Sequence, residues 1–343
     1  MENLRVGQVT LELDDSEVAS ALASDLGSAG RGSGGTLAEL ATAAMKDRGA
    51  YEIVAYPETP TPDGLVTPGS EAMFRDLHKL MSSSTDLITM IHGYNVTWAE
   101  AVGTAVGLQI ALNGSSARDN TQQVAVLLLT WPSDGQLTPW MSYKSDRADA
   151  LSSGGAIGRA LLKLRDFLGE VKARKMVPCG QDLHLLCHSM GNYVLQCAVE
   201  RLSDHTPATA LPRLFDQIWM CAPDVDDDVF EEGQPLARVH QIARQVTVYH
   251  NRRDKALVIS DVTKGNPDRL GSAGSARPAL LHSKVGQVDC AEVAEGLVEH
   301  SYYLDGHVLD DIRLSVDGVA LNAEKRRRRV DPHIGNVWRL SPS

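Results

Sequence analysis

The feature of this sequence that most constrains its fold is a series of five short, mostly apolar runs, each separated from the next by a helical pattern. The runs occupy residues 87–91, 124–130, 182–187, 217–221 and 245–250. They do not alternate apolar and polar residues, as a strand with one face in water would. Continuous apolar strands that alternate with helices are typical of a parallel sheet covered by helices on both faces. The sequence therefore predicts an α/β fold.

Polar residues cluster directly after these runs, in the loops that lead into the next helix. The clusters begin at His92, Trp131, Ser189, Ala222 and Asn251. The carboxyl ends of parallel strands lie at one edge of the sheet, and ligands bind there. We therefore expect the functional residues of this chain in these five loops.

Ser189 stands at the turn between the strand at 182–187 and a helix predicted over 192–202. A serine in such a turn is typical of a nucleophile elbow with the pattern G-x-S-x-G, which leaves the hydroxyl above the sheet at a helix N-terminus. Gly191 satisfies the downstream position, whereas Cys187 replaces the upstream glycine. We interpret Ser189 as a nucleophile, with a plain helix N-cap as the alternative, and Cys187 as a buried, unreactive thiol.

A serine nucleophile needs a base to take its proton and a carboxylate to orient that base. In hydrolases with this elbow, the order along the chain is serine, acid, histidine. Asp254, in the loop after the run at 245–250, is the favoured acid, and Asp224 in the preceding strand loop is the alternative. His300, in a compact loop before the final helix, is the favoured base. His307, inside or beside that helix, is the alternative.

Acyl transfer also needs hydrogen-bond donors for the developing oxyanion, and one such donor is worth about 3 kcal/mol. The backbone amide of Met190, directly after the nucleophile, is one predicted donor. The amide of Tyr94 is the other, because Gly93 lets the backbone turn after the strand at 87–91. The alternative is that this loop is an ordinary strand-to-helix turn.

Charge and cysteine content argue against several classes of protein. The formal net charge is −11 and the pI is near 5.5, so nucleic acid or an anionic membrane would be repelled. Five scattered cysteines without a C-x-x-C pair indicate reduced thiols rather than a disulfide framework or a zinc site. The sequence shows neither a signal peptide nor an apolar run of about 18 residues. We expect a cytoplasmic protein that needs no metal or organic cofactor and does not insert into a membrane.

Several motifs together resemble the α/β-hydrolase superfamily, and most closely its bacterial branch of esterase/lipase-like proteins of unknown function. The motifs are His92-Gly93-Tyr94-Asn95, Thr130-Trp131-Pro132-Ser133, His188-Ser189-Met190-Gly191-Asn192, Ala222-Pro223-Asp224, the segment 251–257 and His300-Ser301-Tyr302-Tyr303. They follow the order of the family between residues 51 and 314. The resemblance implies an α/β-hydrolase fold with an eight-stranded, mostly parallel sheet, and a triad of Ser189, Asp254 and His300.

We divide the chain into an N-terminal extension (1–50), an α/β-hydrolase catalytic domain (51–315) and a C-terminal extension (316–343). The expected function is hydrolysis of a small-molecule carboxylic ester or thioester through an acyl-enzyme intermediate. The alternatives are an amidase or peptidase with the same triad and a catalytically silent binding or scaffolding protein on the same fold. The sequence makes no prediction of oligomeric state.

The substrate pocket is predicted to be lined by three loops, at residues 57–69, 133–144 and 261–286. An apolar, partly aromatic character comes from Trp131, Trp140, Met141 and Tyr143. This set predicts either an acyl-binding wall or plain packing on the sheet. The basic run at 325–329 we interpret as a solvated linker, with a docking site for an anion as the alternative.

Overall fold

The computed structural model describes residues 4–23, 34–57, 68–114, 123–133, 139–173, 181–205, 210–254, 256–257, 268–294, 300–304 and 306–342. Its strands are β1 (Val6–Leu11), β2 (Tyr51–Tyr56), β3 (Asp86–Ile91), β4 (Val124–Leu129), β5 (Asp182–His188), β6 (Phe215–Cys221), β7 (Ala243–His250), β8 (Val285–Asp289), β9 (Arg328–Val330) and β10 (Val337–Leu340). Its α-helices are α1 (Asp15–Ala23), α2 (Gly34–Ala44), α3 (Pro68–Ser82), α4 (Trp98–Asn113), α5 (Pro139–Ala173), α6 (Gly191–His205), α7 (Val239–Ile242), α8 (Leu270–Ala273) and α9 (Gly306–Val316). Short 3₁₀ helices cover Pro278–Leu280, Tyr302–Leu304 and Glu324–Arg326.

Eight strands form one sheet in the spatial order β4-β3-β5-β6-β7-β8-β10-β9. Its neighbouring strands run parallel, except for the edge pair β10 and β9, which is antiparallel. The register places Cys187 of β5 opposite Ile91 of β3 and Met220 of β6. The carboxyl ends of these three strands therefore lie side by side. The predicted eight-stranded, mostly parallel sheet is confirmed.

Neighbouring residues of the central strands enter two different hydrophobic clusters. In β5, Leu185 and Cys187 pack with residues of α5 and α6 on one face of the sheet. Leu186 packs with residues of α2, α4 and α9 on the other face. Consecutive side chains of a strand point to opposite faces, so a strand covered on both sides needs an unbroken apolar run. Burying each such side chain contributes roughly 1.5–3 kcal/mol.

Two N-terminal helices, α1 and α2, pack in the hydrophobic cluster on one face of the main sheet. β1 pairs with β2 in a separate, antiparallel two-stranded sheet. The glycines of α4 let α2 approach closely: a side-chain carbon on Gly107 would lie 2.5 Å from the amide nitrogen of Ala38. A capping box starts α4, in which Thr97 Oγ1 accepts from the Glu100 amide and Glu100 accepts from the Thr97 amide.

The C-terminal residues complete the main sheet, because β10 pairs with β8 and β9 pairs with β10. A buried ionic cluster fastens them. Arg326 Nε lies 2.8 Å from Asp311 Oδ1, Arg328 Nη2 lies 2.5 Å from Asp311 Oδ2, and Tyr249 donates to the same carboxylate at 2.7 Å. Arg326 and Asp311 are buried. The interpretation of the basic run as a solvated linker is therefore wrong for these two arginines, which hold the last strands to the fold.

The boundaries expected at residues 50 and 315 fall inside these structures. The first separates β1 from its partner β2, and the second separates β9 and β10 from the sheet that they complete. Among the described residues, no helix is both long enough and apolar enough to cross a lipid bilayer.

Candidate active site

Ser189 occupies a strained backbone conformation at the turn between β5 and α6, with φ at 51°. A non-glycine residue in this left-handed region costs roughly 1–3 kcal/mol, and such strain concentrates at functional sites. The turn fits because Gly191 carries no side chain: a carbon there would lie 2.5 Å from the Ile91 carbonyl oxygen and 2.6 Å from that of His92. The sequence pattern therefore produces the tight strand-to-helix turn that a nucleophile elbow requires.

Hydrogen bonds from three directions fix the backbone of this turn. The Ser189 amide donates to the Cys221 carbonyl at 2.9 Å, and the Ser189 carbonyl accepts from the Asp224 amide at 3.2 Å. Asn192, which is fully buried, donates its side-chain amide to the carbonyls of Cys187 at 3.0 Å and Ser189 at 3.1 Å. Sequence reasoning gave Asn192 no role, although an amide side chain in the first turn of an apolar helix was a signal.

Cys187, which replaces the upstream glycine, is fully buried in the core below the turn. Burial raises the pKa of its thiol well above the ordinary value, and the nearby Cys221 raises it further. Because the thiolate is the reactive form of cysteine, this thiol is poorly suited to nucleophilic attack. Ser189 at the turn is itself 7% exposed.

The structure brings the favoured acid and base together. His300 Nδ1 lies 2.6 Å from Asp254 Oδ2, although 46 residues separate them in the sequence. The Asp254 side chain is fully buried, whereas the His300 side chain is 22% exposed. The other oxygen of Asp254 accepts from the Ala256 amide at 3.0 Å. Since a carboxylate only accepts, Nδ1 of His300 donates in this hydrogen bond, and in the neutral ring this leaves Nε2 as the acceptor.

Asp224, the alternative acid, has different partners. Its Oδ2 accepts from the Tyr143 hydroxyl at 2.8 Å, and its Oδ1 lies 3.3 Å from Nε of the buried Arg269. Arg269 also binds Asp226. This carboxylate therefore belongs to a buried ionic network beside the elbow, while the hydrogen bond to His300 comes from Asp254.

The alternative base, His307, lies in the first turn of α9, where its Nδ1 is 3.4 Å from Arg327 Nη1. Arg327 follows the 3₁₀ turn at Glu324–Arg326 and belongs to the C-terminal strand region. The structure thus joins His307 to the C-terminal segment and joins His300 to Asp254.

The loop after β3 lies directly against the elbow. A side-chain carbon on Gly93 would lie 2.9 Å from Ser189 Cβ, so a larger residue would displace the serine. Tyr94, the expected oxyanion residue, follows at once. Met190, the other expected donor, is fully buried and immediately precedes α6. The N–H groups of the first helical turn point out of the helix at its N-terminal end and favour negative charge there.

His92 and Trp131 join this loop to the one that follows β4. Trp131 donates its indole N–H to the His92 carbonyl at 2.9 Å and its amide to His92 Nε2 at 3.3 Å, and the two rings stack with centroids 5.4 Å apart. His92 Nδ1 donates to the Gly93 carbonyl at 3.0 Å. Burial lowers the pKa of His92 to about 4, which keeps the ring neutral. Trp131 therefore stabilises the loop after β3 through hydrogen bonds to His92, and its ring stacks on the His92 ring.

Asp146 in α5 is a further anchor that the sequence did not reveal. It is fully buried, accepts from the Ser133 hydroxyl at 2.5 Å and accepts from the Asn95 amide at 3.2 Å. Ser133 in turn accepts from the Val96 amide at 3.2 Å. Both loops beside the elbow are thereby tied to α5, a link across 51 residues that no local pattern indicates.

Aromatic side chains cover the side of the elbow that faces α5. The rings of Tyr94 and Tyr143 meet edge to face with centroids 5.6 Å apart. One turn after Ser189, Tyr193 lies under the Arg147 guanidinium at 3.6 Å from its ring centroid. Arg147 Nη1 also lies 3.5 Å from the Tyr143 hydroxyl. These contacts form a largely apolar wall with one cationic group.

Parts of the predicted pocket lie outside the described residues. They are residues 58–67, 134–138 and 258–267, and the side chains of Trp140 and Met141. The expectation that these groups contact substrate stays a prediction.

The sequence matches the model of a family described as α/β hydrolase of unknown function over residues 70–315. The match covers more than half of the chain, so this protein belongs to that family. A comparison with curated protein sequences found no match.

A comparison with solved structures matched an esterase, an esterase/lipase and a thioesterase. A Pyrococcus furiosus esterase is 11% identical, with 69% of this chain and 82% of that chain covered and a TM-score of 0.33. An esterase/lipase from an uncultured bacterium is 14% identical, with coverage of 68% and 74% and a TM-score of 0.32. The RedJ thioesterase of prodiginine biosynthesis in Streptomyces coelicolor is 10% identical, with coverage of 70% and 92% and a TM-score of 0.30. These similarities are weak, and the family assignment rests on the sequence match.

Proposed function

We propose that this protein is a serine hydrolase that cleaves a carboxylic ester or thioester through an acyl-enzyme intermediate. The observation that carries the proposal is the 2.6 Å hydrogen bond between His300 Nδ1 and Asp254 Oδ2. This hydrogen bond lies beside the strained turn of Ser189. The His300 ring contacts the ring of His188, which directly precedes the serine. A serine, a histidine and a carboxylate gathered at the carboxyl ends of parallel strands match the arrangement of this catalytic class.

In the first half of the reaction, Ser189 Oγ attacks the acyl carbon while its proton passes to Nε2 of His300. Asp254 holds the tautomer that leaves Nε2 free to accept, and it stabilises the imidazolium that forms. The carbonyl π electrons move to oxygen and give a tetrahedral oxyanion. Its collapse breaks the bond to the alkoxide or thiolate, which takes the proton from His300.

The amides of Met190 and Tyr94 are the proposed oxyanion donors. Their support is positional: Met190 directly precedes α6, and Gly93 brings the second loop against Ser189 Cβ. Donors held in place before the reaction need no reorganisation as charge develops, which is why each contributes about 3 kcal/mol. In the second half of the reaction, water gives a proton to His300 and attacks the acyl carbon, which forms a second tetrahedral oxyanion. Its collapse releases the acid and breaks the bond to Ser189 Oγ, which takes the proton back from His300.

The substrate side of the proposal rests on the aromatic wall of Tyr94, Tyr143 and Tyr193. Rings of this kind bury apolar acyl or alkyl groups more readily than charged ones. An amidase or peptidase would use the same three catalytic residues, so bond type is decided by measurement. p-Nitrophenyl esters of rising chain length, a matched thioester and a matched anilide would rank the three substrate classes. We expect the p-nitrophenyl esters and the thioester to react and the anilide to react more slowly.

A fluorophosphonate probe tests the catalytic class itself. We expect one probe adduct, located at Ser189 by mass spectrometry, and no adduct in Ser189→Ala. Circular dichroism establishes that both proteins are folded. A folded protein that takes up no probe would favour the alternative, a catalytically silent binding protein on a hydrolase fold. An adduct that survives Ser189→Ala would place the nucleophile elsewhere.

A further inference from the structure

His188, the residue before the nucleophile, contacts both loops that flank Ser189. Its Nε2 lies 3.1 Å from the His300 carbonyl oxygen. On the other side, a side-chain carbon on Gly93 would lie 3.1 Å from His188 Nδ1. The His188 ring therefore spans the distance between the loop of the proposed base and the loop of the proposed oxyanion donor.

The ring of His188 is also enclosed by the base loop. Its centroid lies 4.8 Å from that of His300 and 4.8 Å from that of Tyr303, at interplanar angles of 53° and 41°. Its surface is 7% exposed. Side chains packed on several sides keep one rotamer, so this histidine has a fixed position relative to both loops.

The protonation state of His188 follows from its partner. A carbonyl oxygen can only accept, so Nε2 carries the proton and Nδ1 is unprotonated. Burial lowers the pKa of His188 well below its ordinary value, and the neighbouring His300 lowers it further. The ring thus stays a neutral donor beside a second histidine that must gain and lose a proton. With its N–H committed to a backbone carbonyl, His188 is poorly placed to act as the base itself.

We propose that His188 is a positioning residue, which fixes the backbone of His300 by donating to its carbonyl oxygen and sets the separation of the base loop from the oxyanion loop. The inference rests on the proposed serine-hydrolase function. Asp254 fixes the His300 ring at Nδ1, and His188 fixes the same residue at its backbone. Two such points define where Nε2 lies, and a displacement of 1 Å at such a centre can cost about 100-fold in rate.

Two substitutions distinguish the effect of the hydrogen bond from the effect of the volume that the His188 ring fills. His188→Phe keeps an aromatic ring and removes the donor. His188→Gln restores an N–H donor at a similar reach from the backbone. We expect His188→Phe to lower kcat for p-nitrophenyl acetate by about 10- to 100-fold with KM changed less than about 3-fold, the signature of lost geometry rather than lost binding. We expect His188→Gln to recover most of that loss.

His184 provides a matched control on the same strand and the same face. It is buried, its Nε2 lies 3.0 Å from Asp86 Oδ1, and its ring contacts Trp219 near the amino end of β5. His184→Phe should lower stability and leave kcat nearly unchanged. Equal losses of kcat in His184→Phe and His188→Phe would mean general strain in β5 and would overturn the proposal. Equal losses in the Phe and Gln variants of His188 would overturn it too.

A spectroscopic measurement separates this inference from the proposed function. The His300 Nδ1 proton, bound to Asp254, should give a low-field proton NMR signal that is absent in Asp254→Asn. The signal should persist in His188→Gln and be lost or broadened in His188→Phe. If the unaltered protein neither reacts with fluorophosphonate nor hydrolyses esters, the proposed function fails, while this signal still tests positioning. An unchanged signal and kcat in His188→Phe would refute the role of His188. His188→Met replaces the Phe variant if that one does not fold.

Discussion

Two buried carboxylates of this protein, Asp254 and Asp311, differ in the partners that meet them. Asp254 faces His300, a group that can exchange a proton and is partly exposed to solvent. Asp311 faces Arg326, Arg328 and the Tyr249 hydroxyl, and its side chain is 1% exposed. Burial opposes ionisation of Asp311, but the two arginines outweigh it and hold the pKa of this carboxyl below its ordinary value.

The difference teaches what separates a carboxylate suited to chemistry from one suited to structure. Arginine does not release its proton in proteins, so the cluster around Asp311 is a fixed attachment. An imidazole beside Asp254 can cycle between neutral and charged forms, and its exposed edge can meet a substrate. We therefore expect substitutions at the two positions to affect different measurements.

The largest expected effect is on activity at Asp254. Asn at this position keeps the shape but donates to Nδ1 and so favours the wrong tautomer of His300. Ester hydrolysis should fall by roughly 10³- to 10⁴-fold, as for loss of a triad carboxylate in general. The urea unfolding midpoint should change little. Activity equal to that of the unaltered protein would move the role of the acid to Asp224.

The next effect is on stability at Asp311. Asp311→Asn leaves two buried guanidinium groups without their counter-charge, which should lower the free energy of unfolding by roughly 3–5 kcal/mol. Asp317→Asn, a change of an exposed carboxylate just after α9, should stay within about 0.5 kcal/mol. The specific activity of the Asp311→Asn protein that remains folded should be near normal. Urea titration and active-site labelling in parallel would show whether attachment and catalysis separate as the comparison requires.

Acid should remove the stability contributed by His92, beside the elbow, and by the Asp311 cluster in different pH ranges. The pKa of buried His92 is lowered from 6.5 to about 4, so the unfolded chain binds more protons between these values. Stability from a neutral His92 is complete above pH 6.5 and falls as the pH drops towards 4, by about 3 kcal/mol in all. The contribution of Asp311, whose pKa is lowered from 3.8, is lost only at more acidic pH.

Urea unfolding at pH 7.5, 5.5 and 4.5 measures this slope. His92→Gln should reduce it, and the slope that remains includes the contribution of His188, whose pKa is also lowered by burial. A slope unaffected by His92→Gln would assign the loss to other groups.

The smallest expected effect is at Asp224, which shares features of both carboxylates. It lies beside the elbow, as Asp254 does, and pairs with a buried arginine, as Asp311 does. Asn keeps the hydrogen bond from Tyr143, and Arg269 keeps Asp226, so we expect a loss of about 2 kcal/mol in stability. Activity should fall less than about 10-fold, since Asp224 binds Tyr143 of the aromatic wall and not His300. A loss as large as that of Asp254→Asn would contradict this division.

The sequence predicted the sheet because burial on both faces leaves a direct record, the unbroken apolar runs. It predicted the strand-to-helix turn at Ser189, and it predicted that this turn lies close to the loop of His92-Gly93, because the carboxyl ends of neighbouring parallel strands lie side by side. It did not predict the environment of the basic run, since an arginine in a solvated linker and one buried on Asp311 look alike in a single sequence. The contacts of Asp146 and His188 were not predicted either, because their partners lie 51 and 112 residues away.

The attachment of β9 and β10 also orders the events of synthesis. The turn at Ser189, His300 and Asp311 all leave the ribosome before Arg326, Arg328 and the strand β10 that joins β8. Until then, the growing chain holds an unpaired carboxylate at a position destined for the interior, and β8 presents an open edge. The residues proposed for catalysis are therefore all present in the nascent chain before the sheet that supports them can close, and we expect native stability to be acquired only once β10 has paired with β8.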